Sequence, residues 1–447
     1  MGGIILSVDI GTSSLKAAFI DFSGKLLASG RAAYGSSQAI KRVDTKDWEK
    51  AFARCLEYLG EKVPDCSAEG ICISGNGPTL VPVSGEGEAL SPLFWNSGET
   101  AYPDESSGYK PASFFLPHAA WFRKNAPDEY ARTRLFISSH EWLAHRLGAE
   151  AQTVLPQASY EAFYWDKEQC RMFDLDPEKF PPFVRSGAVM GTVSSQAALS
   201  FPCGNCLKSG IPIIAGGPDF ITALIGTGAM ESGAVCDRAG SSEGINVCVD
   251  APPQADKLKD LRLLPHAREG LWNVGVLIPS SGRLFEWYRA ASGQEARPYE
   301  ELLTELLPSR VDPETFIKEY HDQDTSLETA NGNQTVLSAD KIKRGRAVLC
   351  SIGLAVRSAI RKLEASGLSV KEMRVSGGQG KNVRWNQLKA DITGVTLMIP
   401  EIPDGELAGN AALSAAALEK TSIEAAVRRM IRIREVYKPH HGEWSRG

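Results

Sequence analysis

Three short glycine-bearing stretches of this chain, two of them with a carboxylate, suit phosphate and proton chemistry. The first is Asp9-Ile10-Gly11-Thr12-Ser13-Ser14-Leu15-Lys16. A tight turn of glycine and hydroxyl residues gathers backbone N–H groups and side-chain donors into an arc that fits a phosphate. Asp9, just before the turn, could hold Mg²⁺ through water, because Mg²⁺ keeps several of its waters. Lys16, just after it, could add positive charge. The same residues also read as an ordinary hairpin with a solvated lysine. The second stretch is Gly216-Gly217-Pro218-Asp219, which follows an apolar run. A carboxylate at the C-terminal edge of a sheet sits where ligands of α/β proteins gather. Asp219 could cap the helix that follows. It could equally take a proton from a hydroxyl that attacks a phosphoryl group, help worth roughly 10²–10⁴-fold in rate. The two roles are compatible.

The third stretch is Ser376-Gly377-Gly378-Gln379-Gly380-Lys381-Asn382. Glycines between a strand and a helix allow close approach of a ligand or another backbone, and Asn382 is placed to cap the following helix. Gly380-Lys381 is not a Walker A loop, since Asn382 stands where Ser or Thr is required. Gly226-Thr227-Gly228 lies inside a predicted helix and is no dinucleotide fingerprint.

The elements that must position these stretches alternate between strand and helix. Residues 4–9, 16–22, 25–33 and 70–74 read as strands, and 48–59 as a helix with Trp48, Phe52, Cys55, Leu56 and Leu59 on one face. Residues 121–132 and 141–147 are predicted helices, and 166–182 a connecting region. A strand at 211–215 leads into a small-residue helix at 221–230. Later come extended segments at 233–238 and 244–249, helices at 341–365, 383–392 and 408–418, and a strand at 373–376. The polar segment Pro308 to Gln334 reads as a surface insertion. Gly240-Ser241-Ser242 lies between two extended segments with Asp237 before it, as Gly11-Thr12-Ser13 does with Asp9. This echo in the other half of the chain suggests duplication. The fold class expected is α/β with a mixed sheet.

The 447 residues exceed one ordinary core, and 43% hydrophobic with 23% charged residues is a globular balance. A net charge of −5 with scattered Lys and Arg argues against nucleic acid as a partner. No run reaches the length of a membrane span, and no signal peptide is evident, so no membrane partner is expected. Nine dispersed cysteines suit reduced thiols in a cytoplasmic protein, and Cys203-x-x-Cys206 reads as a turn.

Together these motifs resemble the FGGY family of carbohydrate kinases, most of all its xylulokinase-type members, over nearly the whole chain. The opening motif resembles that family's first phosphate motif, and Gly240-Ser241-Ser242 its second, with Ser241 where Thr is usual. Gly217-Pro218-Asp219 with Gly226-Thr227-Gly228-Ala229 resembles the block that carries the catalytic aspartate. Ser376 to Asn382, Trp385-Asn386-Gln387 and Ala390-Asp391 resemble the adenosine motif. The resemblance implies two actin-like ATPase (ribonuclease H-like) lobes with a central cleft, an N-terminal lobe over 1–228 and a C-terminal lobe over 229–447. It implies ATP and Mg²⁺, a sugar, ketose or polyol substrate, and a homodimer. It implies Asp219 as general base and Asp9 at the metal. Gly11, Thr12, Ser13, Lys16, Gly240, Ser241 and Ser242 would surround the phosphates, with Gly377, Gly378 and Asn382 by the nucleotide. Asn76, Gly77, Trp95 and Asn96, with Asp219, would meet the sugar. The sugar end departs from the family: Gly77 and Pro78 replace a Met-His pair, and Ser97 and Glu99 replace an acid and a base. The substrate should differ accordingly. The rival reading is an actin-like nucleotide- or sugar-binding protein without productive kinase activity.

Overall fold

The structure, a computed structural model, describes residues 3–34, 43–103, 112–201, 203, 206–307 and 341–440. The insertion expected at Pro308 to Gln334 lies outside the described residues. The chain separates into two compact units. One comprises Met1–Gly228, Ala267–Glu269 and Gly405–Ile431. The other comprises Ala229–His266, Gly270–Asp404 and Arg432–Gly447. A plain division into 1–228 and 229–447 therefore needs correcting, because residues 405–431 pack with the first unit. The reason lies in the helix Gly405–Glu419, which is buried along most of its length. Its Leu407 carbonyl accepts from Ser7 Oγ at 2.8 Å, and Asn410 Nδ2 donates to the Val8 carbonyl at 2.8 Å.

In the first unit the strands are β1 (Ile4–Ile10), β2 (Ser14–Asp21), β3 (Leu26–Ala33), β4 (Ala68–Gly75), β5 (Leu80–Ser84), β6 (Thr133–Ser138), β7 (Thr153–Leu155), β8 (Phe183–Arg185), β9 (Val189–Thr192) and β10 (Pro212–Pro218). The main sheet has the order β3-β2-β1-β4-β10-β9, while β5 pairs with β6 and β7 with β8. β1 and β4 are buried almost throughout, the pattern of central strands covered on both faces. One cover is the helix Thr45–Lys62, started by a capping box between Asp44 and Asp47. The expected face of Trp48, Phe52, Cys55, Leu56 and Leu59 is the one it buries. The single helix expected at 121–132 is two, Leu116–Asn125 and Pro127–Arg132. Pro127 breaks the run because it lacks an N–H and pushes Ala126 out of helical geometry.

The second unit contains β11 (Val235–Ala239), β12 (Glu243–Val249), β13 (Arg262–Pro265), β14 (Trp272–Ile278), β15 (Glu372–Ser376), β16 (Thr396–Pro400) and β17 (Ile433–Tyr437). Their order is β13-β14-β12-β11-β15-β16-β17. Strand for strand this repeats the first sheet with one added edge strand. β1 and β11 each pair antiparallel with the strand after their turn and parallel with the next one along. Each sheet ends in an antiparallel edge strand. The sequence echo of the two turns thus marks a real repetition of topology. Strands β5 to β9, β13, β14, β16 and β17 carry no comparable sequence signal, being short or irregular in pattern.

Cys203 and Cys206 are joined by a disulfide, with Cα atoms 5.7 Å apart. That separation is within bridging range, and it corrects the expectation of nine reduced thiols. The other seven cysteines are free and buried.

Two features of the first unit carry measurable consequences. A Cβ on Gly409 would lie 1.9 Å from the Thr222 carbonyl oxygen, and one on Gly226 would lie 1.8 Å from that of Gly405. The helices Asp219–Thr227 and Gly405–Glu419 therefore meet backbone to backbone. Gly409→Ala should destabilise the protein by about 1–3 kcal/mol through overpacking and should reduce activity; an unchanged melting temperature would contradict this contact. The second feature is Glu141, buried in the helix Ser139–Leu147. It accepts from the backbone N–H groups of Ser138 and Val154, each at 2.6 Å. Burial pushes its carboxyl up to about 7 from an ordinary 4.5, against the opposing pull of those bonds. The folded state then holds the proton more tightly than the unfolded chain, so stability falls as pH rises through that window, by about 3 kcal/mol. Glu141→Gln should gain stability relative to wild type between pH 5 and pH 8 in thermal melts; parallel pH curves for the two proteins would refute the assignment.

Candidate active site

In the first unit the antiparallel register sets Asp9 opposite Lys16 and closes the hairpin through Gly11-Thr12-Ser13. Gly11 N–H donates to the Ser14 carbonyl at 3.0 Å, which shapes the turn and engages that N–H. Asp9 is 3% exposed and accepts from Ser74 Oγ at 2.9 Å, across the parallel pair of β1 and β4. Asn410 Nδ2 donates in turn to Ser74 Oγ at 2.9 Å. Burial raises the Asp9 carboxyl to about 8, and the negative charges of Glu406 and Asp219 push the same way, while Lys16 and Ser74 oppose them. Lys16 Nζ lies 3.7 Å from Glu406 Oε2. Three carboxylates and one ammonium therefore share this corner.

Asp219 is half-buried and opens the helix Asp219–Thr227 as its first residue. Pro218 occupies the cap position, which corrects the expectation that Asp219 would cap this helix. A carboxylate in the first turn is favoured by the helix dipole in its ionised form. The β10 register sets Pro218 against Gly75, and a Cβ on Gly77 would lie 3.7 Å from Pro218. Asn76 is 1% exposed; its N–H donates to the Ile10 carbonyl at 2.8 Å, and its Oδ1 accepts from Ser139 Oγ at 3.2 Å. Asn76 and Gly77 are thus beside Pro218-Asp219. Trp95 Nε1 reaches Thr12 Oγ1 at 3.5 Å. Asn96 instead lines a cavity of about 480 Å³ with Thr12, Ser91, Ser97, Glu99 and Glu129 among its walls. Asp219, Asn76 and Gly77 do not line it, so the expected sugar residues fall into two groups.

In the second unit Gly240 N–H donates to the Ser242 carbonyl at 3.0 Å, a closure one residue shorter than that at Gly11. Gly240 and Ser241 are exposed. Two other glycines abut this turn. A Cβ on Gly377, whose φ is +100°, would lie 2.4 Å from the Ala239 carbonyl oxygen. One on Gly282 would lie 2.3 Å from that of Gly240. Gly240, Ser241, Gly377 and the exposed Gly378 are thereby brought together. Asn382 caps the helix Val383–Thr393 through the Trp385 N–H at 2.9 Å, and its Nδ2 donates to Glu300 Oε2 at 2.8 Å. Both ends of that side chain are engaged within the protein.

Sequence reasoning missed Glu406, Asn410, Gln379 and Glu300. Glu406 and Asn410 sit in a helix whose small-residue composition reads only as packing. Gln379 donates to Ser281 Oγ at 2.9 Å and accepts from Trp385 Nε1 at 3.1 Å. Its place between the glycines of the third motif was the one available signal. Among the described residues no group of three or more His, Cys, Asp or Glu is arranged to hold a metal ion directly. Asp9, an all-oxygen donor in an anionic corner, still fits a hard divalent ion that keeps its waters.

The model of the FGGY family of carbohydrate kinases, N-terminal domain, matches residues 4–106 and 108–226, and that of its C-terminal domain matches 327–418. A xylulose kinase of Staphylococcus epidermidis is 24% identical over 98% of this chain and 93% of its own length. An L-fuculokinase of Salmonella typhi is 26% identical, covering 91% of each chain. Among solved structures, a ligand-bound xylulose kinase from Lactobacillus acidophilus superposes with a TM-score of 0.71 at 18% identity, covering 98% of this chain and 94% of the other. The ADP-bound glycerol kinase of Plasmodium falciparum gives a TM-score of 0.70 at 14% identity, with the same coverage. The two repeated sheets are those of the actin-like two-domain fold, and with both family domains matched the chain belongs to the FGGY family of carbohydrate kinases.

Proposed function

We propose that this sugar kinase transfers the terminal phosphoryl group of ATP to a hydroxyl of a neutral sugar or polyol, with the Asp219 carboxylate as general base. The observation that carries this reading is the position of Asp219. It opens a helix at the C-terminal edge of β10, with Gly77 against its neighbour Pro218 and its charge felt at Asp9. The attacking hydroxyl oxygen bonds to the terminal phosphorus as the bond from that phosphorus to the bridging oxygen breaks. The hydroxyl proton passes to Asp219, and the electron pair of the broken bond leaves with ADP. Phosphoryl transfer of this kind depends mainly on positioning and charge neutralisation.

We assign the sugar and the first phosphate turn to the lobe spanning 1–228, joined by 405–431, and the second phosphate turn and the adenosine motif to 229–404. Thr12, Ser13, Ser241 and Ser242 would offer donors to the phosphates, and Lys16 positive charge. Gly11 and Gly240 would act through turn shape, their N–H groups being engaged. Gly377 and Gly378 would give the nucleotide room, and Asn382 would act by fixing its helix. Asp9 would hold Mg²⁺ through water, and the ion when bound neutralises charge on the phosphate oxygens. Asn76, Gly77, Trp95 and Asn96 would meet the sugar.

The preference for an uncharged substrate rests on the cavity beside Asn96, which Asp219 does not line, and so concerns the part of the sugar away from the attacking hydroxyl. Its walls include Glu99 and Glu129 and no Lys, Arg or His among the described lining residues. A carboxylate-bearing sugar would meet like charge there, whereas hydroxyls find acceptors. The seven free buried cysteines suit a reducing cytoplasm, and a homodimer is the assembly we assign by family.

Asp219→Asn tests the base assignment. Sugar-dependent turnover should fall by roughly 10²–10⁴-fold, while affinity for ADP stays at the wild-type value. Near-normal turnover would show that another group takes the proton.

A further inference from the structure

We infer that Lys389 is a positioning residue for the nucleotide phosphates: it locks both strands flanking the Gly240-Ser241-Ser242 turn to the helix Val383–Thr393. The inference rests on the reading that this turn takes phosphate. Lys389, Asp237 and Glu243 are all fully buried. Lys389 Nζ donates to Asp237 Oδ2 at 2.5 Å and to Glu243 Oε1. Asp237 lies on β11 just before the turn and Glu243 is the first residue of β12 just after it. One ammonium on a helix therefore grips both legs of the hairpin.

The grip extends to the rest of the turn's supports. The second oxygen of Glu243 accepts from Ser281 Oγ. Ser281 also accepts from Gln379, which receives Trp385 of the helix that carries Lys389. Beside Ser281, the Gly282 backbone touches Gly240, and Arg283 N–H donates to the Ser241 carbonyl at 3.0 Å. Gly240 and Ser241 are exposed to a ligand, while everything beneath them is held through this network. Donors fixed in advance bind an anion without reorganising when it arrives.

The charges support a closed internal role. Burial raises the Asp237 carboxyl well above its usual range, and Glu243 adds to the effect, while Lys389 opposes it. Burial alone would lower the Lys389 ammonium, but Asp237 and Glu243 outweigh it and hold it charged. In the cluster one ammonium is paired with two buried acids. Its counterpart in the first unit is different. There Asp9, at the matching place in the repeat, keeps company with two further carboxylates. The acid before the first turn faces further acids, and the acid before the second is paired with Lys389.

Isothermal titration with MgADP and with adenosine tests the inference without knowledge of the sugar. Two variants are compared with wild type: Lys389→Met, and the apolar triple Asp237→Leu, Glu243→Met, Lys389→Met. Replacing a whole buried ion cluster by apolar side chains commonly preserves stability, so the triple keeps the question open should the single variant not fold. A folded triple should bind ADP about tenfold or more weakly, with adenosine affinity within about twofold of wild type, because only the phosphate turn has lost its anchor. Unchanged ADP affinity in the triple, or an equal loss for ADP and adenosine, would overturn the inference. Ser241→Asp separates it from the underlying reading, since a negative charge in a phosphate turn must weaken ADP. If Ser241→Asp leaves ADP binding intact, the phosphate assignment and the inference both fall. If it weakens ADP and the triple does not, only the role of Lys389 falls.

Discussion

The helices Asp219–Thr227 and Gly405–Glu419 touch through Gly226 and Gly409, so closely that a single methyl group at either position would collide with a carbonyl oxygen. Much of the first unit follows from that contact. The first helix begins with Asp219, and the second carries Glu406 and Asn410. Bringing the helices together sets three carboxylates around one corner, with Asn410 reaching past them to brace Ser74 and the end of β1. The corner is costly in electrostatic terms, as the raised Asp9 carboxyl records. A packing contact between backbones sustains it, and the buried Asp9 carboxyl there holds its proton more tightly than an ordinary one.

Duplication gives the same hairpin two surroundings. In both units an acid on the central strand precedes a glycine-hydroxyl turn that is closed by the glycine's own N–H. In the first unit neighbouring acids intensify the charge. In the second, Lys389 pairs with the acid on each leg of the hairpin. One topology thus supplies both an acid-rich corner and a turn braced by an internal ion cluster. The difference arises from residues on helices outside the repeated motif.

What could be read from the sequence divides along the same line. The two glycine-hydroxyl turns were legible because glycine, hydroxyl and acid residues at short spacing leave a local signature, and their repetition in both halves pointed to duplicated lobes. The helix over 341–365 and the buried face around Trp48 were legible from periodicity. Glu406, Asn410 and Lys389 were not, because each acts on a partner more than a hundred residues away, and nothing in the flanking sequence names that partner. Short strands such as β7 and β9 escaped because a few residues carry no period. Ala126 hid a helix break that Pro127 alone should have announced. The return of residues 405–431 to the first unit was illegible for a further reason: a small-residue helix reads as packing without saying against what.

The residues we assign to the sugar, Asn76, Gly77, Trp95 and Asn96, are where the central claim is most exposed. The direct measurement is ADP release, coupled to a spectroscopic readout, across neutral pentuloses, hexuloses and polyols, with an aldonate as the anionic member of the panel. Sugar-dependent release with at least one neutral compound, and none with the aldonate, is the result this account predicts. Release with no member of the panel, or with the aldonate alone, would contradict it.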